Sequence, residues 1–557
     1  MPLRLGATLG VPMTPLRLQA HIRGLAGVAS LASILFVAQI AAAQTAVTTY
    51  HNDNYRTGWN SAETVLTPST VSTSSFGLLA KVAVDDQVDG QPLVVPGVTI
   101  TAGSNQGVHD VVYIVTGNDT VYAIDATAGT ILLSQNLGKP VSSPLGCNNN
   151  GPNVGIDSTP VIDVSSNTIY LTAYTQDSTG PAYRVHALDL GNLTDKVAPM
   201  VVNASHTLTD GTTLTFNATY QRQRPGLLLA NGNIYAGFGS FCDYSANHSR
   251  GWLLGWNAAT LAPLSANRLN DQQPSSPNNF FLSSIWMSGY GLAADDSGNV
   301  VFVTGNSDYS GTTYDGVSNI QESVVKVSSD LTTVVDLFTP SNQASLDEGD
   351  TDFGSGGVLV LPDQTGSTPH LAVAAGKYGS MYLMNEDKLG GYSTTTNNVL
   401  GTYQVGGCWC GESYFVDPTD GAARVVSSGG QEVMVWKVKT SPSPKLVGVT
   451  RSPKLTSGQN AGFFTSVSSN GNATPIIWAL TRPVSRSSTA IGLYAFNPDA
   501  GGKTMTLLFH ANAGSWPNFG GDSNQVPVVA NGKVYVASNK ELEIFGLKQA
   551  ANSKSSK

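Results

Sequence analysis

Val112-Tyr113-Ile114-Val115, the turn Gly117-Asn118-Asp119, Val121-Tyr122-Ala123-Ile124-Asp125 and, past Gly129, Ile131-Leu132-Leu133: this run between Val111 and Leu137 decides the fold. Side chains on a strand point alternately to its two faces, so short apolar stretches alternating with small polar turns describe an antiparallel meander. The same unit begins again near Thr159, Gly226, Gly289, Gly356, Ala423, Phe464 and Val526, which makes eight copies. The last, Val526 to Gly546, lacks an outer strand, and the early stretch Phe76 to Val84 is free to supply it. A ring closed in that way leaves no sheet edge exposed. The expectation is an all-β chain, an eight-bladed β-propeller of four-stranded antiparallel sheets, spanning residues 44–549 as one domain. Helical periodicity is not convincing anywhere in that span.

The chain has 557 residues, 41% hydrophobic and 12% charged, with 59 Gly and 28 Pro, the composition of a folded protein. At its start, Arg17 and Arg23 precede an apolar run from Leu25 to Ile40, and Ala41-Ala42-Ala43 precedes Gln44. A basic stretch, a short apolar stretch and small residues are what signal peptidase reads, so residues 1–43 are expected to be a signal peptide. Ser30, Ser33 and Gln39 break the run, which argues against a membrane anchor. The expected location is secreted or periplasmic, with no membrane span after cleavage, and residues 550–557 are expected to be a disordered tail. Without the leader the chain carries 26 basic and 38 acidic residues, a net charge of −12. That balance excludes nucleic acid as a partner, because phosphate recognition needs clustered Lys and Arg. A small molecule, a carbohydrate, a cation or another exported protein remains open.

Four cysteines, Cys147, Cys242, Cys408 and Cys410, allow two disulfides in an exported protein, with connectivity open. Cys408-Trp409-Cys410 closes a small ring or holds a metal, although paired zinc thiolates want two or more intervening residues and a second pair. Buried structural thiols are the plainer reading. His206, His248, His370 and His510 are scattered without metal spacing. Asn203-Ala204-Ser205, Asn217-Ala218-Thr219 and Asn247-His248-Ser249 match glycosylation sequons.

Several features then occur in a telling order. They are Arg250-Gly251 leading into Trp252-Leu253-Leu254, Thr304-Gly305-Asn306, the acidic run Asp347, Asp350, Asp352, and Lys377-Tyr378-Gly379-Ser380-Met381-Tyr382-Leu383. With the degenerate Ala-x-Asp/Asn turns at Ala123, Ala187 and Ala495, the chain resembles the quinoprotein alcohol dehydrogenase superfamily over essentially its whole length after the leader. The resemblance implies Asn306 as a ligand of Ca2+ and of pyrroloquinoline quinone, and Lys377 as a quinone contact. Arg250, Cys147 and Trp286 are the nearest counterparts of further quinone contacts, Asp243 of the acidic Ca2+ ligand, and Asp315 of the catalytic carboxylate. The pattern departs at Cys147-Asn148, where the family has adjacent cysteines. Gly289-Tyr290 stands where the family has a flooring Trp, and Val317-Ser318-Asn319 where it has the catalytic Asp. Alcohol oxidation by that quinone needs a divalent ion and a proton-accepting carboxylate. Two functions follow: an exported binding or scaffold propeller with a degenerate quinone site, or a quinone- and Ca2+-dependent dehydrogenase of alcohols or sugars. The sequence contains no Cys-x-x-Cys-His haem attachment.

The repeat suggests a second constellation, because residues just before each inner strand converge at one mouth of the axial channel. Asp157, Arg222, Arg224, Trp286, Asp352, Glu412 and Asp522 are expected to ring that funnel, with Gln91 and Asn524 beside them. Acids, arginines and one aromatic make a polar small-molecule or sugar site, or cap strand ends and pair with each other. Asp157 and Asp352 as paired carboxylates would permit hydrolysis in principle.

Overall fold

The computed structural model describes residues 44–149, 151–311, 313–455, 462–485, 487–498, 502–517 and 524–549. The expected leader, the tail and Asp522 lie outside them. The described chain is an eight-bladed β-propeller. Blade one is Leu93–Ile100, Gly107–Val115, Thr120–Asp125 and Ile131–Asn136, paired antiparallel in that order from the axis outward. Its middle strands are buried on both faces, Val111, Val112, Val121 and Ile124 being inaccessible, because each blade is sandwiched between neighbours. The other inner strands are Val161–Asp163, Leu228–Ala230, Ala293–Ala294, Val358–Leu361, Ser413–Val416, Phe464–Asn470 and Val528–Ala530. A six-residue helix, Gln343–Glu348, interrupts the β structure between blades four and five. Among the described residues no helix is long and apolar enough to cross a membrane.

The ring closes as the repeat requires. Phe76–Gln87 lies antiparallel to the outer part of Lys533–Leu547, with Phe76 opposite Leu547 and Lys81 opposite Glu543. Lys81 reaches Glu541 at 2.7 Å and Glu543 at 3.2 Å across this seam.

The stretch before it does something the repeat pattern does not announce. An inner strand has a free edge facing the axis, and its N–H and C=O groups need partners once water is excluded. Residues 45–63 supply them in blade order. Val47 exchanges two backbone hydrogen bonds with Val94 of blade one, and Ile162 of blade two donates to the Thr48 carbonyl. The Asn54 side chain donates to the Leu229 carbonyl of blade three, while its own carbonyl accepts from Ala294 of blade four. Val360, Tyr414 and Val467 of blades five, six and seven donate to the carbonyls of Tyr55, Thr57 and Gly58. Glu63 accepts from the Gly532 amide of blade eight. One segment thus makes a full circuit of the axis as a collar.

Arg56 fastens the collar from within. Its guanidinium is inaccessible to solvent and donates to Thr49 Oγ1 and to the carbonyls of Tyr50, Asp53, Leu227 and Leu292. Tyr50, His51 and Tyr290 pack together above it with ring centroids 4.7–5.0 Å apart. The Tyr290 ring is wedged between Gly357 and Gly411, where a Cβ would come within 1.8 Å of it. Its hydroxyl donates to the carbonyls of Arg56 and Glu412. These side chains plug the axis.

Candidate functional site

The inner strands of blades three to six run away from a common mouth, so the loops entering them meet there. A cavity of about 240 Å³ lies at that mouth. Arg222 and Arg224 come from the entry to blade three, Trp286 from blade four, Asp350 and Asp352 from blade five, and Trp409 from blade six. Lys377 comes from the turn between the second and third strands of blade five, Asp243 and Cys242 from the corresponding loop of blade three, and Asn149 from the loop after blade one.

The centre of the wall is an ion cluster. The Lys377 ammonium lies 3.0 Å from Asp350 Oδ1 and 3.6 Å from Asp352 Oδ2, and 5.3 and 5.4 Å from the ring centres of Trp286 and Trp409. Burial alone would lower the Lys377 pKa, but the facing Asp352 and Asp350 overcome it and hold the ammonium above its usual value. Trp286 Nε1 donates to Asp352 Oδ2 at 3.1 Å, whereas Asp352 Oδ1 is buried with no hydrogen bond inside the protein. Burial pushes the Asp352 carboxyl up to about 7; Lys377 opposes this, and Asp243 and Asp350 add repulsion. The Asp243 carboxyl is also raised, first by desolvation in the funnel, against a hydrogen bond from Ser240. Behind the wall sit two further acids. Burial lifts Asp347 to about 8, and Glu322 rises well above the usual range through burial and the nearby charges of Asp352 and Asp347.

A second charged layer supports the arginines. Arg222 Nε donates to Asp157 Oδ2 at 2.9 Å, and Arg224 Nη1 donates to the Asp157 carbonyl at 2.9 Å. Asp89 lies 3.9 Å from Arg224 and is pushed up to about 8 by burial and by Asp157. Glu412 is buried against the Cys408–Cys410 disulfide, one carboxylate oxygen lying within 4.8 Å of both sulfurs. Neither Glu412 oxygen has a hydrogen bond inside the protein, and burial raises the carboxyl to about 7.

Of the residues singled out in the sequence, Lys377, Trp286, Arg222, Arg224, Asp352 and Asp243 share this cavity. Asp157 and Glu412 stand just behind it. Gln91 sits deeper, accepting from the His51 amide, and Asn524 accepts from Arg482. The remaining residues lie off the cavity lining. Asp315 is not on the wall: it caps its own turn, accepting from the backbone of Val317, Ser318 and Asn319. Burial would raise its pKa, but the Ser318 hydroxyl and these amides outweigh it and lower it. Arg250 is spent on the carbonyls of Asp271 and Gln273 and covers the Phe281 ring. Asn306 is absent from the lining; its neighbour Gly305 packs on Trp286 and Asp352, and its own carbonyl accepts from Ser283.

The cysteines pair as Cys147–Cys242 and Cys408–Cys410. Cys147 therefore acts at the cavity through its partner, since Cys242 is on the wall. The second disulfide brackets Trp409, a wall residue that sequence reasoning passed over. Its signal was the Cys-Trp-Cys triplet just before an inner strand, the position already used to choose Glu412. Asn149 and Asp350 were missed as funnel residues because they lie on loops outside the repeat.

The donor set for Ca2+ is not brought together. Calcium collects six to eight oxygens, carboxylates among them. Here the Lys377 ammonium already lies beside Asp350 and Asp352, and Asn306 is off the wall. Among the described residues, no three acidic, histidine or cysteine side chains converge in the cavity; Cys408, Cys410 and Glu412 do so behind it, with both sulfurs in a disulfide. Nor do the tryptophans form a slot for a planar quinone, because their rings are 87° apart with centroids at 5.8 Å. The residues present do not fit the quinone–calcium pair.

No protein-family model matches the chain, and no curated protein sequence is similar to it. Solved structures do resemble it. A quinohaemoprotein alcohol dehydrogenase from Pseudomonas putida HK5 superposes with a TM-score of 0.56 at 13% identity, covering 91% of this chain and 81% of that one. A europium-containing methanol dehydrogenase gives a TM-score of 0.56 at 12% identity, covering 90% of this chain and 98% of that one. The likeness is one of fold: the chain shares the propeller architecture of these two dehydrogenases.

Proposed function

We propose that this chain is an exported propeller that binds a small, hydroxyl-rich molecule of the saccharide class in its funnel and does not oxidise it. One observation carries the reading: the Lys377 ammonium, paired with Asp350 and Asp352, occupies the place where a bound cation would sit between these acids. A polyol supplies both donors and acceptors. It would receive hydrogen bonds from Arg222 and Arg224, donate to the exposed Asp350 carboxylate, and lay a C–H face on Trp286 or Trp409. The modest volume suits one or two rings rather than a long chain. The leader pattern and two disulfides support export, where thiols stay oxidised.

The dehydrogenase reading keeps one specific support, the Cys147–Cys242 disulfide that brings a half-cystine to the same wall as Lys377 and Trp286. Both readings meet one experiment. Tryptophan fluorescence is followed while the purified chain is titrated with mono- and disaccharides, then with pyrroloquinoline quinone plus Ca2+, and dye reduction is assayed with an alcohol panel. Saturable saccharide quenching, lost in Trp409→Ala, with neither quinone uptake nor dye reduction, is expected. Stoichiometric quinone uptake with turnover overturns the proposal in favour of the dehydrogenase. Fractionation and N-terminal sequencing should find the processed chain outside the cytoplasm, starting at Gln44.

A further inference from the structure

The inner strand of blade five, Val358–Leu361, has Asp350 and Asp352 before it at the funnel and Asp363 and His370 after it, at the other end of the blade. There His370 meets three carboxylates: Asp363 in its own turn, Asp387 after the third strand of the blade, and Asp296 in the corresponding turn of blade four. One ligand atom each from Asp296, Asp363 and His370 lies within 4.8 Å of the other two.

The two imidazole nitrogens have different surroundings. Nδ1 lies 2.9 Å from both Asp387 oxygens, so it carries a proton that it donates to that carboxylate. Nε2 faces Asp363 Oδ1 at 3.7 Å, too far for a hydrogen bond. An oxygen of the Asp296 carboxylate lies within 4.8 Å of one imidazole nitrogen and of Asp363. Two ligand atoms on one tetrahedral ion, each about 2.0–2.1 Å from it, stand about 3.4 Å apart, close to the gap seen. A carboxylate holding the far nitrogen of an imidazole is also how metal-bound histidines are oriented.

The surrounding charge points the same way. Lys326 pairs with Asp295 and Glu386, and so leaves Asp296, Asp363 and Asp387 around a single imidazole. The Tyr55 hydroxyl from the collar hydrogen-bonds Asp296 and restrains it.

We infer that Asp296, Asp363 and His370 form a binding site for a divalent transition ion, with Asp387 as the residue that positions the imidazole. An imidazole nitrogen with two carboxylates suits Zn2+ or a similar borderline ion better than Ca2+, which prefers oxygen alone. The ion would tie blade four to blade five at the end remote from the funnel, so the inference is independent of what the funnel binds.

The test is calorimetric titration of the chelator-treated full chain with Zn2+, with Ca2+ as the comparison arm, and thermal unfolding with and without Zn2+. One saturable Zn2+ equivalent, a raised Tm and much weaker Ca2+ binding are expected. His370→Gln and Asp363→Asn should each weaken Zn2+ by tenfold or more and abolish the Tm rise, and Asp387→Asn should weaken it about tenfold. All three changes are on the surface, and circular dichroism shows whether the variants are folded. If His370 serves only as an ion-pair partner, His370→Gln lowers Tm equally with and without Zn2+. That result, absence of a saturable Zn2+ event, or Zn2+ binding unchanged in both His370→Gln and Asp363→Asn would overturn the inference.

Discussion

Two neighbouring regions at the propeller axis, the collar and the funnel, both bury charged residues and meet them differently. In the collar, Arg56 is buried with its guanidinium committed to five protein oxygens, and backbone groups from blade after blade find partners in residues 45–63. In the funnel, Asp352 Oδ1, Asp157 Oδ1 and both oxygens of Glu412 are buried with no hydrogen bond inside the protein. Burial costs a polar group its hydration, so satisfied groups rigidify a site while unsatisfied ones leave it ready for water or ligand. The comparison teaches how differently buried charges can be met: five protein oxygens surround the Arg56 guanidinium, while Asp352, Asp157 and Glu412 keep carboxylate oxygens without a partner inside the protein.

The sharpest way to break this contrast is at Arg56. Arg56→Ala would strand the carbonyls of Tyr50, Asp53, Leu227 and Leu292 in a dry interior, and a loss of about 3–5 kcal/mol is expected in denaturant unfolding. A loss below about 1 kcal/mol would mean that the collar is ornamental.

In the funnel, Glu412 predicts the opposite sign. Its carboxyl is raised from 4.5 to about 7 in the folded chain. Between those values the native state holds a proton that the unfolded chain has released, so stability falls as pH rises through this window. Glu412→Gln should match the parent near pH 4 and exceed it by about 2–3 kcal/mol at pH 8. Parallel pH–stability curves for the two proteins would remove the contrast.

Between collar and funnel lies the Tyr290 plug. Gly411→Ala would press a methyl into the ring and should cost about 1–3 kcal/mol by overpacking, with partial relief in Gly411→Ala/Tyr290→Leu. Additive losses in the double variant would show that Tyr290 is not the obstacle. The smallest effect belongs to the ring seam. Lys81 is half exposed, so Lys81→Met should shift thermal unfolding by no more than about 1 kcal/mol even though it breaks two ion pairs.

Much of this fold is legible in the sequence because strand alternation and turn residues are local signals. The middle strands of every blade, such as Thr120–Asp125 and Met434–Lys439, stand close to where the pattern places them. Leu93–Ile100 and Ser413–Val416 are less legible as inner strands. The first is interrupted by Pro96-Gly97, and the second is too short for alternation to show. The collar is invisible for a deeper reason: residues 45–63 pair with eight different strands in turn, so no stretch of them carries a period.

The funnel is legible in part. Counting to the residue before each inner strand finds Arg222, Arg224, Trp286 and Asp352, because the repeat puts those positions at one mouth. The family resemblance points to Lys377, which lines the cavity, and to Asp315, Arg250 and Asn306, which do not. A motif specifies a side chain, while the packing of its loop decides where that side chain points.

The sequence by itself determined the blade count, the strand order and the closure between the first strand and the last, because these follow from side-chain periodicity and turn chemistry along one stretch of chain. Only the tertiary structure decided that Trp409 joins the funnel, that Lys377 settles between Asp350 and Asp352, and that His370 meets Asp363 and Asp296. Each of those depends on distances between segments far apart in the chain, and such distances are set by how blades pack around an axis.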